Sequence, residues 1–179
     1  MKRTSIALIG FMGTGKSAVG QALAEKLGKE FIELDQVIVK NAGKTIPEIF
    51  TQDGEITFRE HEIAASKEAA RKANAVIACG GGVVLNKINT DRLRGGAVIV
   101  YLTASPDEIF RRTSHHDEER PLLKVVNPTA RIAELLDFRR PFYERAAELT
   151  IDTTGKDIDT VAGEIISRLE QDESFDFEK

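Results

Sequence analysis

Short apolar runs alternate along this chain with longer segments in which apolar positions recur at helical spacing. The short runs predict buried β-strands, and the longer segments predict amphipathic α-helices. The predicted strands are Ser5–Ile9, Glu30–Leu34, Ala75–Cys79, Ala97–Leu102 and Leu149–Asp152. The predicted helices cover residues 16–28, 54–73, 106–113, 128–147 and 157–170.

The alternation of strands and helices predicts a three-layer α/β/α fold, in which helices cover both faces of a five-stranded parallel sheet. The length of 179 residues fits a single domain, which we place at residues 1–171. Two polar segments interrupt the alternation, at about residues 36–60 and 113–124. Both are of the kind that moves over a ligand in phosphotransferases.

The last residues, 172–179, form an acidic C-terminal tail without helical patterning. We interpret this tail as a mobile end, with Phe175 and Phe177 as the two rings that would dock it.

Composition narrows the classes of partner. The net charge of −4 argues against nucleic acid, whose binding proteins usually carry a basic patch. No apolar run approaches the length that spans a membrane. The lone cysteine, Cys79, fits a reducing compartment. We therefore expect a cytoplasmic protein without a nucleic-acid or membrane partner, and we take it to be a monomer.

The segment Gly10–Ser17 matches the phosphate-binding pattern G-x-x-x-x-G-K-[ST] at every fixed position. It follows a predicted strand and precedes a predicted helix, which is the setting that this loop requires. Its glycines let backbone N–H groups point inward, and the helix start adds partial positive charge. Lys16 would contact the β- and γ-phosphates, and the Ser17 hydroxyl would bind Mg²⁺. The motif indicates a nucleoside triphosphate with Mg²⁺.

Chemistry-bearing residues follow the second and third predicted strands. Because ligands bind beyond the carboxyl ends of parallel strands, Asp35 could orient an acceptor hydroxyl and accept its proton. Glu33 could serve the metal ion. The alternative is that Asp35 caps a helix and Glu33 is only solvated. The run Gly80–Gly82 exposes backbone to a ligand, unless it is merely a flexible turn.

Several arginines could bind anions. Arg59 and Glu62 are three residues apart on a predicted helix, so they form either a surface ion pair or an oriented guanidinium for a carboxylate or phosphate. Arg139 and its neighbour Arg140 cannot share one helix face, so at most one of them points inward. For each arginine, simple solvation is the alternative.

Taken together, these motifs resemble those of shikimate kinases, in order and in spacing. The segments that carry the resemblance are G-x-x-G-x-G-K-S at 10–17, the acids at 33 and 35, G-E-x-x-F-R-x-x-E at 54–62, G-G-G at 80–82, R-P-L-L at 120–123 and R-x-P-x-Y at 139–143. The resemblance implies a P-loop kinase fold with a substrate-binding insertion and a lid. It also implies transfer of the γ-phosphate of ATP to the 3-hydroxyl of shikimate.

The resemblance assigns roles by matched position. Catalytic roles fall to Asp35, Lys16 and Arg120. ATP would be bound by Gly13, Thr14, Gly15, Lys16, Ser17, Ala18, Arg112 and Arg120. Shikimate would be bound by Asp35, Arg59, Gly80, Gly81, Gly82 and Arg139. Magnesium would be bound by Ser17 and, through water, by Glu33.

The chain departs from the family pattern at two positions. The family commonly has Asp where Glu33 stands, and often Thr or Ser where Cys79 stands. A related small-molecule kinase, such as a gluconate kinase, is the alternative within the same fold. A nucleotide-dependent switch is the alternative outside enzymes, but such switches have a D-x-x-G motif after the third strand and an N-K-x-D motif. The third predicted strand is followed by Gly80–Gly82 instead, and the sequence contains no N-K-x-D.

Overall fold

A parallel β-sheet forms the centre of the protein in the computed structural model, which describes residues 2–114 and 126–177. Its strands are β1 (Ser5–Ile9), β2 (Glu30–Glu33), β3 (Ala75–Ala78), β4 (Ala97–Thr103) and β5 (Leu149–Asp152). They lie in the order β2-β3-β1-β4-β5, and every neighbouring pair is parallel. The carboxyl ends of all five strands therefore meet at one edge, where open α/β sheets bind ligands.

Helices connect and cover the strands. They are α1 (Lys16–Leu27), α2 (Leu34–Ala42), α3 (Ile46–Glu48), α4 (Gly54–Ala69), α5 (Lys87–Arg94), α6 (Pro106–Thr113), α7 (Pro128–Ala146) and α8 (Ile158–Leu169). A π-helical turn spans Ile49–Asp53, and a 3₁₀ turn spans Val83–Leu85. Within residues 2–114 and 126–177, no helix combines the length and the apolar character needed to cross a membrane.

The three central strands β3, β1 and β4 are buried on both faces, which accounts for their largely apolar sequences. On β1, Ile6 and Leu8 pack into the cluster that α1 and α8 cover. Ala7 and Ile9 face the opposite cluster, to which α2, α4, α5 and α7 contribute. Alternate residues of one strand thus enter two separate cores, and the result is the predicted three-layer arrangement.

The end of β2 differs from the prediction by one residue, with a consequence for the site. The strand ends at Glu33 and α2 begins at Leu34. Glu33 occupies the N-cap position in an extended conformation, without a side-chain cap hydrogen bond. Asp35 lies in the first turn of α2. Helix capping by Asp35, the alternative considered above, is therefore not what the structure shows.

Three helices, α2, α3 and α5, were not predicted from the periodicity. Residues 36–60 are not merely polar and broken, because they contain most of α2, then α3, the π-helical turn and the start of α4. A capping box between Thr45 and Glu48 begins α3. Helix α5 buries only Asn89, Thr90 and Leu93, so its sequence carries almost no apolar stripe.

The described part of the acidic tail is docked. The Phe175 side chain is only 4% exposed and packs with α8 in the core. Phe177 meets its ring edge-on at a centroid distance of 4.9 Å. A parallel bridge pairs Phe175 with Arg3. The two rings therefore anchor residues 172–177, in place of the mobile end that the acidic composition suggested.

Candidate active site

The loop between β1 and α1 forms an anion-binding cradle. Gly13 and Gly15 have φ angles of 75° and 95°, which residues other than glycine rarely adopt. Lys16, the first residue of α1, donates a hydrogen bond from Nζ to the carbonyl of Phe11 at 2.8 Å. The first turn of α1 contains no acidic residue, so the positive end of the helix dipole is not neutralised there. These features favour bound phosphate.

Ser17 and Glu33 meet beside this cradle. The Ser17 hydroxyl lies close enough to the Glu33 carboxylate to lower its pKa, against the effect of burial. Both supply oxygen donors, which suit Mg²⁺. Among residues 2–114 and 126–177, no group of three or more His, Cys, Asp or Glu side chains could hold a metal ion by itself. This pair fits Mg²⁺, which usually takes one or two protein oxygens and completes its shell with phosphates and water.

Three carboxyl groups are withdrawn from water near Lys16. Burial raises the pKa of Asp35, and the positive charge of Lys16 partly opposes that rise. Burial likewise raises the pKa of Glu33, which the Ser17 hydroxyl partly offsets. The pKa of Glu62 is also raised by burial, against the effect of Arg59. Carboxyl groups that lie together and have raised pKa values are typical of functional sites.

Arg59 is held in place by a buried carboxylate. Its Nη1 lies 3.0 Å from Oε2 of Glu62, whose side chain is 2% exposed. Its Nη2 lies 3.2 Å from Oε1 of Glu55. Because Glu62 is buried, the Arg59–Glu62 pair is not a surface ion pair. The guanidinium is oriented toward the glycine run, since a Cβ built on Gly82 would lie 2.6 Å from its Nη1.

Of the two adjacent arginines on α7, only Arg139 points inward. Its guanidinium carbon lies 5.4 Å from the ring centroid of Phe11, a buried residue of the phosphate-binding loop. This is a cation–π distance. Arg140 points outward and pairs with Asp137 at 2.8 Å. Helix α7 thus places one cation between the phosphate-binding loop and the glycine run.

The glycine run brings the other predicted residues together. A Cβ built on Gly80 would lie 3.0 Å from Oδ1 of Asp35. A Cβ built on Gly81 would lie 3.6 Å from Nη1 of Arg139 and 3.6 Å from the backbone nitrogen of Met12. Asp35, Arg139 and the phosphate-binding loop therefore all approach this short backbone segment, which supports the view that it is more than a flexible turn.

A cavity of about 610 Å³ opens on the other side of the phosphate-binding loop. It is lined by Gly13, Thr14, Gly15, Ala18, Val19, Arg111, Arg112, Thr113, Thr153, Lys156, Asp157, Ile158 and Val161. Five of the predicted ATP-binding residues, Gly13, Thr14, Gly15, Ala18 and Arg112, are among them. Its size suits a nucleoside.

Thr153 connects the two sides of this cavity. Its hydroxyl lies 3.1 Å from the carbonyl of Thr14 and 2.9 Å from the carbonyl of Thr103. It also accepts a hydrogen bond from Nη1 of Arg112 at 2.9 Å. Arg112 Nη2 donates to the Thr153 carbonyl at 2.7 Å, and Nη1 lies 3.2 Å from the carbonyl of Gly13. The predicted base-binding arginine is thereby tied to the phosphate-binding loop.

One predicted site residue lies outside the described part of the chain, and some residues of the site were not predicted from the sequence. Arg120 and residues 115–124 of the predicted lid lie outside the described residues. Thr153 and Phe11 were missed, because their contacts join distant parts of the chain. Glu62 was noticed only as a partner of Arg59. Cys79 is buried, and burial raises the pKa of its thiol, so a nucleophilic role is not favoured.

The site combines a phosphate-binding loop with a carboxylate and two oriented guanidinium groups, and all of them lie at the carboxyl edge of a parallel sheet. This combination defines a P-loop phosphotransferase. This class needs a triphosphate on one side and an acceptor hydroxyl on the other. The structure has a surface for each: the cavity beside the phosphate-binding loop for the triphosphate, and the glycine run with Asp35 for the acceptor.

Comparison with known proteins narrows the class. The family model for shikimate kinase matches residues 12–170. A shikimate kinase of Caldanaerobacter subterraneus subsp. tengcongensis is 49% identical over 90% of this chain and 94% of its own. The structure of a shikimate kinase from Acinetobacter baumannii in complex with shikimate superposes with a TM-score of 0.88, at 36% identity over 96% and 95% of the two chains.

The chain belongs to the shikimate kinase family, and it is accordingly a kinase with ATP as a substrate. The resemblance inferred from the motifs and the predicted fold class are both confirmed. A gluconokinase of Sinorhizobium meliloti, at 22% identity and a TM-score of 0.58 over 96% and 94% of the two chains, shares the fold alone.

Because burial raises the pKa of Asp35, its ionised form opposes folding. A raised native pKa means that stability is lost as pH rises through that pKa. We expect Asp35→Asn to increase the free energy of unfolding of the ligand-free protein at neutral pH. The gain should disappear in acid, where Asp35 is protonated in both states. Urea unfolding at a series of pH values measures this.

The control for this prediction is Asp137→Asn, at an exposed position on α7 whose side chain is 68% accessible. It should not give the same gain. A loss of stability in Asp35→Asn at neutral pH would contradict the electrostatic interpretation.

Thr153→Val keeps the side-chain shape and removes the hydroxyl that links Arg112 to the phosphate-binding loop. We expect the Kd for ATP, measured by titration calorimetry, to rise about threefold to tenfold, the usual effect of one hydrogen bond. Thr150→Val is the matched control, since Thr150 is exposed on β5. An unchanged Kd in Thr153→Val, or an equal change in both variants, would show that this link does not support nucleotide binding.

Proposed function

We propose that this chain transfers the γ-phosphoryl group of ATP to the 3-hydroxyl of shikimate, giving 3-phosphoshikimate and ADP. The observation that carries the proposal is the convergence of Asp35, Arg59 and Arg139 on the glycine run beside the phosphate-binding loop. A small hydroxy acid needs one group for its hydroxyl and cations for its carboxylate. The relatives are shikimate kinases and the Acinetobacter structure is a complex with shikimate, which agrees with this acceptor.

On the acceptor side, we assign the shikimate carboxylate to Arg59 and Arg139. Guanidinium groups present paired N–H donors that match the two oxygens of a carboxylate. Both are oriented before substrate arrives, Arg59 by Glu62 and Arg139 by the Phe11 ring. Such preorganisation reduces the entropy that binding costs. The backbone of Gly80, Gly81 and Gly82 would contact the ring of the substrate.

On the nucleotide side, the phosphates would be bound by Gly13, Thr14, Gly15, Lys16, Ser17 and Ala18. Lys16 would exchange its hydrogen bond with the Phe11 carbonyl for one with a phosphate oxygen. Arg112 would lie against adenine in the cavity that it lines. Arg120, outside the described residues, is proposed to approach the transferred phosphate from the lid.

In the reaction, the 3-hydroxyl oxygen forms a bond with the γ-phosphorus, while the bond from that phosphorus to the bridging oxygen of ADP breaks. Asp35 orients the hydroxyl and accepts its proton. The elevated pKa of the half-buried Asp35 carboxyl makes it a stronger base than an exposed aspartate. Lys16 balances charge on the phosphates, and in-line transfer depends mainly on such positioning and charge stabilisation.

We assign Mg²⁺ to the Ser17 hydroxyl, with Glu33 acting through a water molecule. When bound, the ion neutralises charge on the phosphates. Glu33 lies close enough to Ser17 for the hydroxyl to lower its pKa, which places both groups at the proposed metal site. We further propose a cytoplasmic monomer without nucleic-acid or membrane partners, as expected from the composition.

The direct test is ADP release with purified protein, ATP and Mg²⁺, and with shikimate or gluconate as acceptor. We expect release to depend on shikimate and to be negligible with gluconate. Asp35→Asn should lower kcat by about a hundredfold or more, the usual contribution of a general base. Release stimulated by gluconate and not by shikimate would refute the proposed acceptor.

The adjacent arginines of α7 allow a matched comparison. Arg139→Ala should raise the KM for shikimate about tenfold or more, because it removes charged hydrogen bonds to the carboxylate. The KM for ATP should change little. Arg140→Ala removes an identical side chain that points outward and should leave both constants near those of the wild type. An increase in the KM for ATP alone would place Arg139 at the nucleotide instead.

A further inference from the structure

The three carbonyls of the glycine run are all hydrogen-bonded, but the middle one differs from the others. The carbonyl of Gly80 accepts from the Val83 N–H at 3.1 Å, and that of Gly82 accepts from the Leu85 N–H at 3.0 Å. The carbonyl of Gly81 instead accepts from the Tyr143 hydroxyl at 2.5 Å. The orientation of the central peptide thus depends on a side chain from α7.

This dependence matters because the segment is built of glycines. Glycine has many accessible backbone conformations, so local sequence does not select one orientation of the peptide between Gly81 and Gly82. A trans peptide is planar, and its carbonyl and N–H groups point in opposite directions. Holding the Gly81 carbonyl therefore also determines the direction of the Gly82 N–H.

Tyr143 is well suited to hold this group. Its side chain is fully buried, and its ring stacks on Tyr101 at a centroid distance of 4.8 Å and an interplanar angle of 14°. Burial raises the pKa of Tyr143 to about 12, so the hydroxyl keeps its proton at physiological pH. The stacked ring limits the positions that the hydroxyl can take.

Arg139, one helical turn earlier on α7, approaches the same carbonyl. Its positive charge lowers the pKa of Tyr143, against the larger effect of burial. Its Nη1 also lies 3.5 Å from the Gly81 carbonyl. Residues four apart on a helix share one face, which explains how α7 brings both side chains to one carbonyl. The hydroxyl and the guanidinium therefore meet at the Gly81 carbonyl.

We propose that Tyr143 is a positioning residue for the acceptor, which acts by fixing the Gly81–Gly82 peptide and, through the Gly81 carbonyl, a contact of the Arg139 guanidinium. This inference rests on the proposed function, in which the run and Arg139 bind shikimate. Tyr143 itself touches neither substrate in the proposal. Its loss should weaken acceptor binding selectively, because the contacts of the nucleotide cavity lie on the other side of the phosphate-binding loop.

The test compares Tyr143→Phe with Tyr101→Phe. Each removes one hydroxyl from a stacked pair and keeps both rings, but only the Tyr143 hydroxyl contacts the glycine run. We expect Tyr143→Phe to raise the KM for shikimate at least about threefold, the effect of losing one net hydrogen bond. The KM for ATP should stay within about twofold of the wild type, and Tyr101→Phe should change neither constant.

Two further measurements separate positioning from general damage. Thermal unfolding shows whether each variant is folded, and calorimetric titration with shikimate alone gives acceptor affinity without turnover. A Tyr143→Phe protein whose shikimate KM rises less than about threefold, or whose two KM values rise together, overturns the inference. If the wild-type protein shows no shikimate-dependent ADP release, it is the proposed function that fails instead.

Discussion

The site depends on keeping buried carboxyl groups next to cations. Burial raises the pKa values of Glu33, Asp35 and Glu62, so their ionised forms are unfavourable where they stand. Lys16 and Arg59 partly offset this cost. Removing one of these cations would leave a carboxylate uncompensated in a low dielectric. The cluster is therefore not optimised for stability, which is the usual consequence of arranging charge for catalysis.

The surrounding fold makes such a cluster tolerable. A parallel sheet with both faces buried is rigid, and it delivers loops from neighbouring strands to one edge. The phosphate-binding loop follows β1, the acids lie at the end of β2, and the glycine run follows β3. Helix α7 then adds Arg139 from a distant part of the sequence. Because neighbouring elements hold the glycine run in place, its own sequence does not need to select one backbone conformation.

Much of this could be predicted from local patterns. Apolar runs located all five strands within one residue at each end. The signal is clearest for the three central strands, because strands that are buried on both faces need a largely apolar sequence. The phosphate-binding loop was predictable because its glycines, Lys16 and Ser17 are adjacent in sequence. Helix α5 was not, since only a few of its residues face the core. The boundary at Leu34 also escaped, because an apolar residue at a strand end fits either element.

The sequence by itself determined the class of chemistry: which residues carry charge, which backbone can approach a phosphate, and which motifs identify the family. The tertiary structure decided which side chain acts on which group. Arg139 rather than Arg140 faces the site because of how α7 packs, and Thr153 meets the Thr14 carbonyl across 139 positions of sequence. Such pairings depend on packing between distant elements, and local sequence carries no record of them.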